Sequence, residues 1–403
     1  MSKGASRGAG TPTRAEGGPV AVTSAQVRAF RWDAHQLGRA AGSAASTEVD
    51  LLDLGVQDSG PDGAAWALEI RGAEPASPGE LLYAWTLRGA PHAYRRADAA
   101  AVTTATAPYD ETDAAKRVFD ASRPLKAADL EVLDALRTVA VLEREIVARP
   151  TVKGDLSAAL TAAVDPPFLR HCTPCDATHL YEMPFRLAAL QAGLELEPDA
   201  SPPVLRRVPR HSPDPYASLA GEARSRWDVV RGYLRFYGPA SVHEAAAFVD
   251  APVRTVKAHW PDDVVPVVVT DAPAPKGSGR FVLADDVARL RDPGRAAASG
   301  RAVRLAGPFD GYLQGRDRDV LVADRGRAAE LWRTIGHPGA VLDDGEVVGT
   351  WRPRTSGSGD KRTLTVAVDP WETFGTARRA LVDAEVERLA QFRDVASGGW
   401  VLP

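Results

Sequence analysis

The sequence predicts an α+β protein, mainly α, in which tandem winged helix-turn-helix modules precede a β-rich, barrel-like C-terminal domain. Three observations carry that expectation. The order helix, short helix, helix, strand occurs twice between Asp110 and Leu283. After Val303 the apolar pattern gives way to turns and period-two alternation. A chain of 403 residues also exceeds one ordinary core. The expected division is a disordered tail (1–19), a first module carrying Gln57-Asp58-Ser59 (20–108), a second with Cys172 and Cys175 (109–200), a third (201–300) and the C-terminal domain with its closing helix (301–403).

Composition narrows the function classes. Apolar residues make up 44% and charged residues 25%, the balance of a soluble globular protein. With 49 basic and 53 acidic residues the net charge is −4. This excludes a wholly basic nucleic-acid coat but not a local basic face, because binding follows the local potential. No run of about 18 apolar residues exists, so no membrane span is expected. In the tail, Lys3, Arg7 and Arg14 stand among small residues without the apolar stretch of a secretory signal. Two cysteines rule out a disulfide framework and fit a reducing cytoplasm.

Taken in order, Thr23 or Ser24 caps a first helix with Val27, Phe30, Ala34 and Leu37 on one face. Leu51, Leu52, Leu54 and Val56 then surround Gly55 and lead into Gln57-Asp58-Ser59, and Gly60-Pro61 ends the run. An apolar stem delivers an amide, a carboxylate and a hydroxyl into a turn, a set able to position a water. The same pattern fits an ordinary turn begun by Asp58 and Ser59. Residues 64–71 read as helix, and the stretch from Leu81 as a strand turning at Gly89 to Pro91 before His92.

In the second module, Val132, Leu136, Val139, Leu142 and Ile146 predict a helix over 127–148. A short helix follows at 151–160 and a third at 176–192. In the next module a helix covers 218–237, and Ser241 with Glu244 forms a capping box for a second, to Phe248. Pro252 starts a recognition helix to Trp260 that carries Arg254, Lys257 and His259. Strands at 264–269 and 280–283 flank a wing, and Pro266 assigns the first to a sheet edge. A winged helix used only for protein packing is the competing reading. In the last hundred residues, Ala340 to Trp351 reads as a hairpin with a Gly turn. Thr363 to Val368 alternates at period two, and a closing helix runs from Thr376 to Phe392.

Two constellations stand out. Both cysteines fall in His171-Cys172-Thr173-Pro174-Cys175-Asp176-Ala177-Thr178-His179. Cys172, Cys175 and His179 offer three soft ligands for a structural zinc; simple packing and a redox pair are the alternatives. Arginines cluster over 206–235 and again over 301–325, where Arg316 and Arg318 lie. Guanidinium suits bidentate phosphate contact, and two winged helices favour double-stranded DNA as the partner. No phosphate-cradling glycine loop or nucleophile elbow is present. The acid–base groups of an enzyme would therefore come from Gln57-Asp58-Ser59 and their neighbours.

Four segments carry a family resemblance. Pro308-Phe309-Asp310 with Gln314-Gly315-Arg316-Asp317-Arg318 resembles a PFDxxLxGxxDR signature. Asp344 to Arg352 resembles a DGxVVGTW hairpin, Leu87 to His92 an RGTxH turn, and Gly55-Val56-Gln57-Asp58-Ser59 falls where the family has GLQAQ. These are signatures of the winged helix DNA-binding family that includes the AlkZ and YcaQ DNA glycosylases, and the resemblance runs from about Val22 to about Val395. It implies tandem winged helices in a C-shaped arrangement, excision of alkylated purines, unhooking of DNA crosslinks, and an active site without a metal. Gln57 matches the first residue of the family's Gln-x-Gln or Gln-x-Asp motif, and Ser59 stands in place of the second. On a strand, Gln57 and Ser59 share a face and Asp58 does not; His92 completes the pocket through the RGTxH-like turn.

The resulting expectation is a monomeric, cytoplasmic, nucleoid-associated enzyme that hydrolyses the N-glycosidic bond of alkylated or crosslinked purines and needs no cofactor for catalysis. The departure at Ser59 motivates the alternative, a non-catalytic winged-helix regulator or lesion sensor. The net charge keeps a scaffold role open.

Overall fold

A computed structural model describes residues 18–403 apart from 61, 175, 222–223, 276, 278 and 294–300. Residues 1–17 of the expected tail lie outside the described residues, as does Cys175.

The first strand finds its partner far along the chain. Val20–Val22 pairs in parallel with Val267–Val269, and Val264–Val269 pairs antiparallel with Arg280–Leu283. Thr23 ends the strand and forms a capping box with Gln26 for helix Ser24–Ala34. Val27 and Phe30 of that helix pack with Val267, Val282 and Leu290. Val264–Val269 is thus the central strand of three, which corrects the edge position expected from Pro266. The parallel ladder begins at Val267, one residue past Pro266, so on that side the missing N–H has no strand to bond.

A six-stranded sheet follows the order Val56–Gln57, Pro91–Arg95, Leu81–Trp85, Leu194–Leu196, Val204–Arg207 and Thr151–Val152. It joins strands of the first hundred residues to strands beyond residue 150. The expected helix over 127–148 is the helix Val132–Ile146, which starts five residues later than expected; Asp129, with a positive φ of 57°, separates it from a preceding helix, Ser122–Ala127. The expected helix over 176–192 begins only at Glu182 and runs to Gln191. Ala177–Leu180 instead pairs with Leu169–Cys172 as a hairpin. The helix expected from 218 is Val229–Tyr237, started by Asp228, whose side chain accepts from the Arg231 N–H.

The last hundred residues carry a five-stranded sheet in the order Val303–Ala306, Gly339–Asp343, Glu346–Ser356, Thr363–Pro370 and Ala396–Val401. Asp344 and Gly345 both take positive φ, 46° and 90°, as a two-residue hairpin turn requires. Helix Thr376–Phe392 lays Val382, Val386 and Leu389 on this sheet's core. The protein is therefore of mixed α/β class. Among the described residues no helix is long and apolar enough to cross a membrane.

Two cores meet around residues 51–70. Leu51, Leu52 and Leu54 pack with Tyr233, Leu234 and Phe236 of helix Val229–Tyr237. At Gly232 a Cβ would lie 3.0 Å from Leu54 Cδ1, so a glycine lets the helix come close. Trp66 and Ile70, only a few turns on, belong to the C-terminal core with Val303, Leu305 and Trp351.

Glu143 is fully buried on helix Val132–Ile146, and neither carboxylate oxygen has a hydrogen-bond partner among the described residues. Burial pushes its carboxyl well above the usual range. The folded state then holds a proton that the unfolded chain releases near pH ~4.3, so this group lowers stability as pH rises from there. Glu143→Met is expected to stabilise the protein by roughly 1–3 kcal/mol at pH 8 and by less at pH 5. Urea denaturation at both pH values checks this, and an equal gain at the two would contradict it.

Candidate active site

The site is built from a glycine turn. Gly55 takes φ +100°, and a Cβ there would lie 2.6 Å from the Tyr94 ring. The turn sets Val56–Gln57 beside strand Pro91–Arg95, with Gln57 opposite His92. Directly opposed residues share a sheet face. The Gln57 amide donates from Nε2 to Ser59 Oγ at 3.1 Å, and both residues line a cavity of about 290 Å³.

Asp58 faces elsewhere. Its N–H donates to the Pro91 carbonyl at 2.8 Å, and its Oδ1 accepts from the Ala64 N–H at 2.8 Å, in the first turn of helix Gly63–Glu69. Burial pushes its carboxyl up against that hydrogen bond, and Asp199 adds to the rise. Asp58 does not line the cavity.

His92 is buried. Its Nδ1 lies 2.9 Å from the Ala90 carbonyl and 3.1 Å from Thr86 Oγ1. A carbonyl only accepts, so Nδ1 carries the proton and Nε2 the lone pair. Burial, with the nearby Arg88 charge, holds its pKa down to about 3, so the ring is neutral.

The facing wall comes from the last hundred residues. Pro308, Phe309, Asp310, Trp351, Arg352 and Pro353 line the same cavity as Gln57 and Ser59. The Trp66 and Trp351 indoles donate to consecutive carbonyls, Leu305 at 2.7 Å and Ala306 at 2.8 Å. Phe309 meets His337 edge to face at 5.2 Å. The Asp310 carboxylate accepts two bonds from Arg71, each 2.8 Å. Asp62, also on the wall, is paired with Arg393 at 2.8 Å. Every carboxylate at or beside the cavity named here already has a partner.

Outside the cavity lining, in a group that reaches the wall residue His337 through the Arg318 charge, the charge balance is reversed. Arg88 Nη1 donates to the Phe248 carbonyl at 2.6 Å, and its guanidinium lies 4.7 Å over the Phe248 ring. The Phe248 ring packs 4.9 Å from Tyr233, whose hydroxyl accepts from the Arg316 N–H at 3.0 Å. Burial, with Arg316's like charge, lowers Arg88 to about 10. Arg316 Nε is buried without a partner. Arg318 lies 4.9 Å over Trp332, and burial with the Arg316 charge lowers it too. Burial and the Arg318 charge lower His337 on the cavity wall. Among the described residues no carboxylate oxygen lies within 4.0 Å of the Arg88, Arg316 or Arg318 guanidinium.

The other expected residues lie apart from this cavity. Arg254 reaches Thr112 Oγ1 at 3.0 Å and Lys257 is exposed, both on the short helix Val253–Ala258. His259 is stacked on Tyr109 at 4.4 Å, with Nδ1 donating to the Thr255 carbonyl at 2.9 Å. Cys172 and His179 sit on paired strands and touch each other. They supply two of the four ligands a structural zinc takes. Among the described residues no group of three metal-binding side chains forms.

Sequence reading missed Asp62, Arg393 and Trp66 as parts of the site. Only the Asp62-Gly63 turn left a local signal; the others are brought in by tertiary packing.

A family model described as DNA glycosylase AlkZ-like matches residues 51–392. Among solved structures the fold is similar to that of the Streptomyces sahachiroi DNA glycosylase AlkZ, with a TM-score of 0.65 at 19% identity, covering 95% of this chain and 100% of that one. No curated protein matches the chain.

The geometry separates two aspartates by cost. Asp310→Ala leaves buried Arg71 unpaired and should cost about 3–5 kcal/mol, whereas Asp58→Ala loses one helix-end bond and should cost about 1 kcal/mol. Burial works to raise the Asp310 carboxyl, but the Arg71 charge overcomes it and holds it low. Its stabilisation is therefore present at neutral pH and lost as pH falls through that lowered value. Urea melts of both variants at pH 7 and at pH 4 test the ranking, and equal losses would contradict it.

Proposed function

The chain belongs to the AlkZ-like DNA glycosylase family, and from that premise we propose that it is a monofunctional glycosylase that hydrolyses the N-glycosidic bond of alkylated or crosslinked purines in double-stranded DNA. One observation carries the reading. Gln57 and Ser59, the Pro308-Phe309-Asp310 turn and the Trp351-Arg352-Pro353 strand, hundreds of residues apart, line one cavity.

Hydrolysis breaks the sugar–base bond through an oxocarbenium-like sugar, and the base leaves with the bonding electrons. Water adds to the sugar carbon as the oxocarbenium forms, and the proton it then loses passes to bulk solvent. Gln57 spends an N–H on Ser59 and keeps its carbonyl oxygen as an acceptor. The Ser59 hydroxyl keeps its own proton to donate. A water between them is oriented by one acceptor and one donor. A carboxamide is no base, and Asp58, Asp62 and Asp310 are engaged. With a pKa near 3, His92 positions the strand behind Gln57 and takes no proton at neutral pH. Such a site suits a base that already carries positive charge and leaves without protonation. That supports an alkylated purine as the substrate.

In this reading Arg88, Arg316 and Arg318 take backbone phosphates beside the cavity. Arg254 and Lys257, on the helix of a tandem winged-helix array, contact the duplex further out. The chain works as a monomer in the cytoplasm, on the nucleoid, and a zinc on Cys172, Cys175 and His179 is at most structural. The engagement of Gln57 by Ser59 favours one second reading, a DNA-binding lesion sensor without catalysis.

Base release from alkylated duplex DNA decides between them. Gln57→Ala should lower release about 100-fold while leaving DNA affinity unchanged. Arg316→Gln should weaken binding across sequences and reduce the slope of log K against log salt by about 1. Tight binding with no release from any alkylated or crosslinked substrate supports the sensor.

A further inference from the structure

Ile335 is 84% exposed, while no other large apolar side chain described between residues 18 and 400 exceeds the 55% of Phe119. A lone exposed apolar residue is ordinary; this one is held out on a short loop fixed at both ends. On one side the Trp332 indole donates to the Leu313 carbonyl at 3.0 Å, with Arg318 over its ring. On the other, Arg352 Nη2 donates to the Gly336 carbonyl at 2.7 Å, and His337 packs on Phe309 in the cavity wall. Gly336 turns the chain with a φ of 67°. The loop thus holds an aliphatic side chain in water two residues from His337 of the cavity wall, with Arg333 two residues before it and Arg318 and Arg352 bound to the loop residues on either side of it.

A cationic surround that draws in a polyanion, with an apolar prong at its centre, fits a surface with charge outside and apolar faces inside. Duplex DNA has that arrangement. Aliphatic side chains inserted at a base step unstack it and recover part of the cost by burying their own surface. We propose that Ile335 is a wedge that enters the base stack beside the nucleotide facing the Gln57 cavity. The proposal rests on the DNA-binding reading given above. The wedge holds the duplex open at that step, so the sugar–base bond meets the cavity without a deep, closed pocket for the base.

The test uses the full chain and a duplex that carries a tetrahydrofuran abasic analogue with 2-aminopurine as its neighbour. Binding of the wild type is expected to raise 2-aminopurine fluorescence as the stack opens. Ile335→Ser should abolish the rise and weaken binding about tenfold, with the salt slope and thermal midpoint unchanged. Ile335→Leu should restore both signals. A full rise with Ile335→Ser, or failure of Ile335→Leu to rescue, overturns the wedge. If the wild type binds the probe without any rise, the wedge alone falls. If it does not bind at low salt, the DNA-binding reading falls and takes the wedge with it.

Discussion

Two buried arginine–carboxylate pairs tie the first seventy-one residues to the segment from Pro308 to Arg318, which lines the cavity through Pro308, Phe309 and Asp310. Arg71, just past helix Gly63–Glu69, grips Asp310 through two bonds. Arg31, on the first helix, grips Asp317 at 3.0 and 2.6 Å and also donates to the Tyr237 and Gly238 carbonyls. All four side chains are almost fully buried. Ion pairs so deep repay their desolvation only when geometry is good and the remaining donors are used. Here the bidentate fork meets that condition. The acidic residues of the Pro308 to Arg318 signature are therefore clamps, which explains why a motif that lines the cavity offers it no free carboxylate.

The same arrangement sorts the charge. The chain as a whole is slightly acidic, yet its carboxylates are consumed in pairs around the cavity. Arg88, Arg316 and Arg318 are left facing one another. Burial first, and the Arg316 charge second, hold Arg88 and Arg318 below the usual guanidinium value, and an anion beside them would offset both. Net charge was a poor guide to partner here because the informative quantity is which guanidinium groups stay unpaired.

Much of the local structure was legible in the sequence. The cap at Thr23, the capping box at Ser241, the turn at Gly345, the alternating strand after Thr363 and the helix from Thr376 to Phe392 rest on signals within a few residues. What failed were segments whose state is set by distant partners. Ala177–Leu180 is a strand because Leu169–Cys172 lies beside it, and Val264–Val269 is central because Val20–Val22 reaches it. At the site, alternation separated Asp58 from Gln57 and Ser59, but no local pattern announced that Asp58 would hold the Ala64 N–H. The facing wall and Asp62 become neighbours of Gln57 only through the packing of residues 51–70 between two cores.

The parallel pairing of the first strand also constrains how the chain is made. Ser24 donates to Asp271 across 247 residues of sequence, beside a strand whose partner is synthesised long after it. On the ribosome, Val20–Val22 emerges early with its backbone groups unpaired and can dock only when most of the protein has followed. Contacts of that span are slow to form, and an unpaired strand is open to wrong partners meanwhile. Val20–Val22 and Val264–Val269 must therefore mature together, and the first helix, with Arg31, is fixed in place only once residues as late as Asp317 have been made.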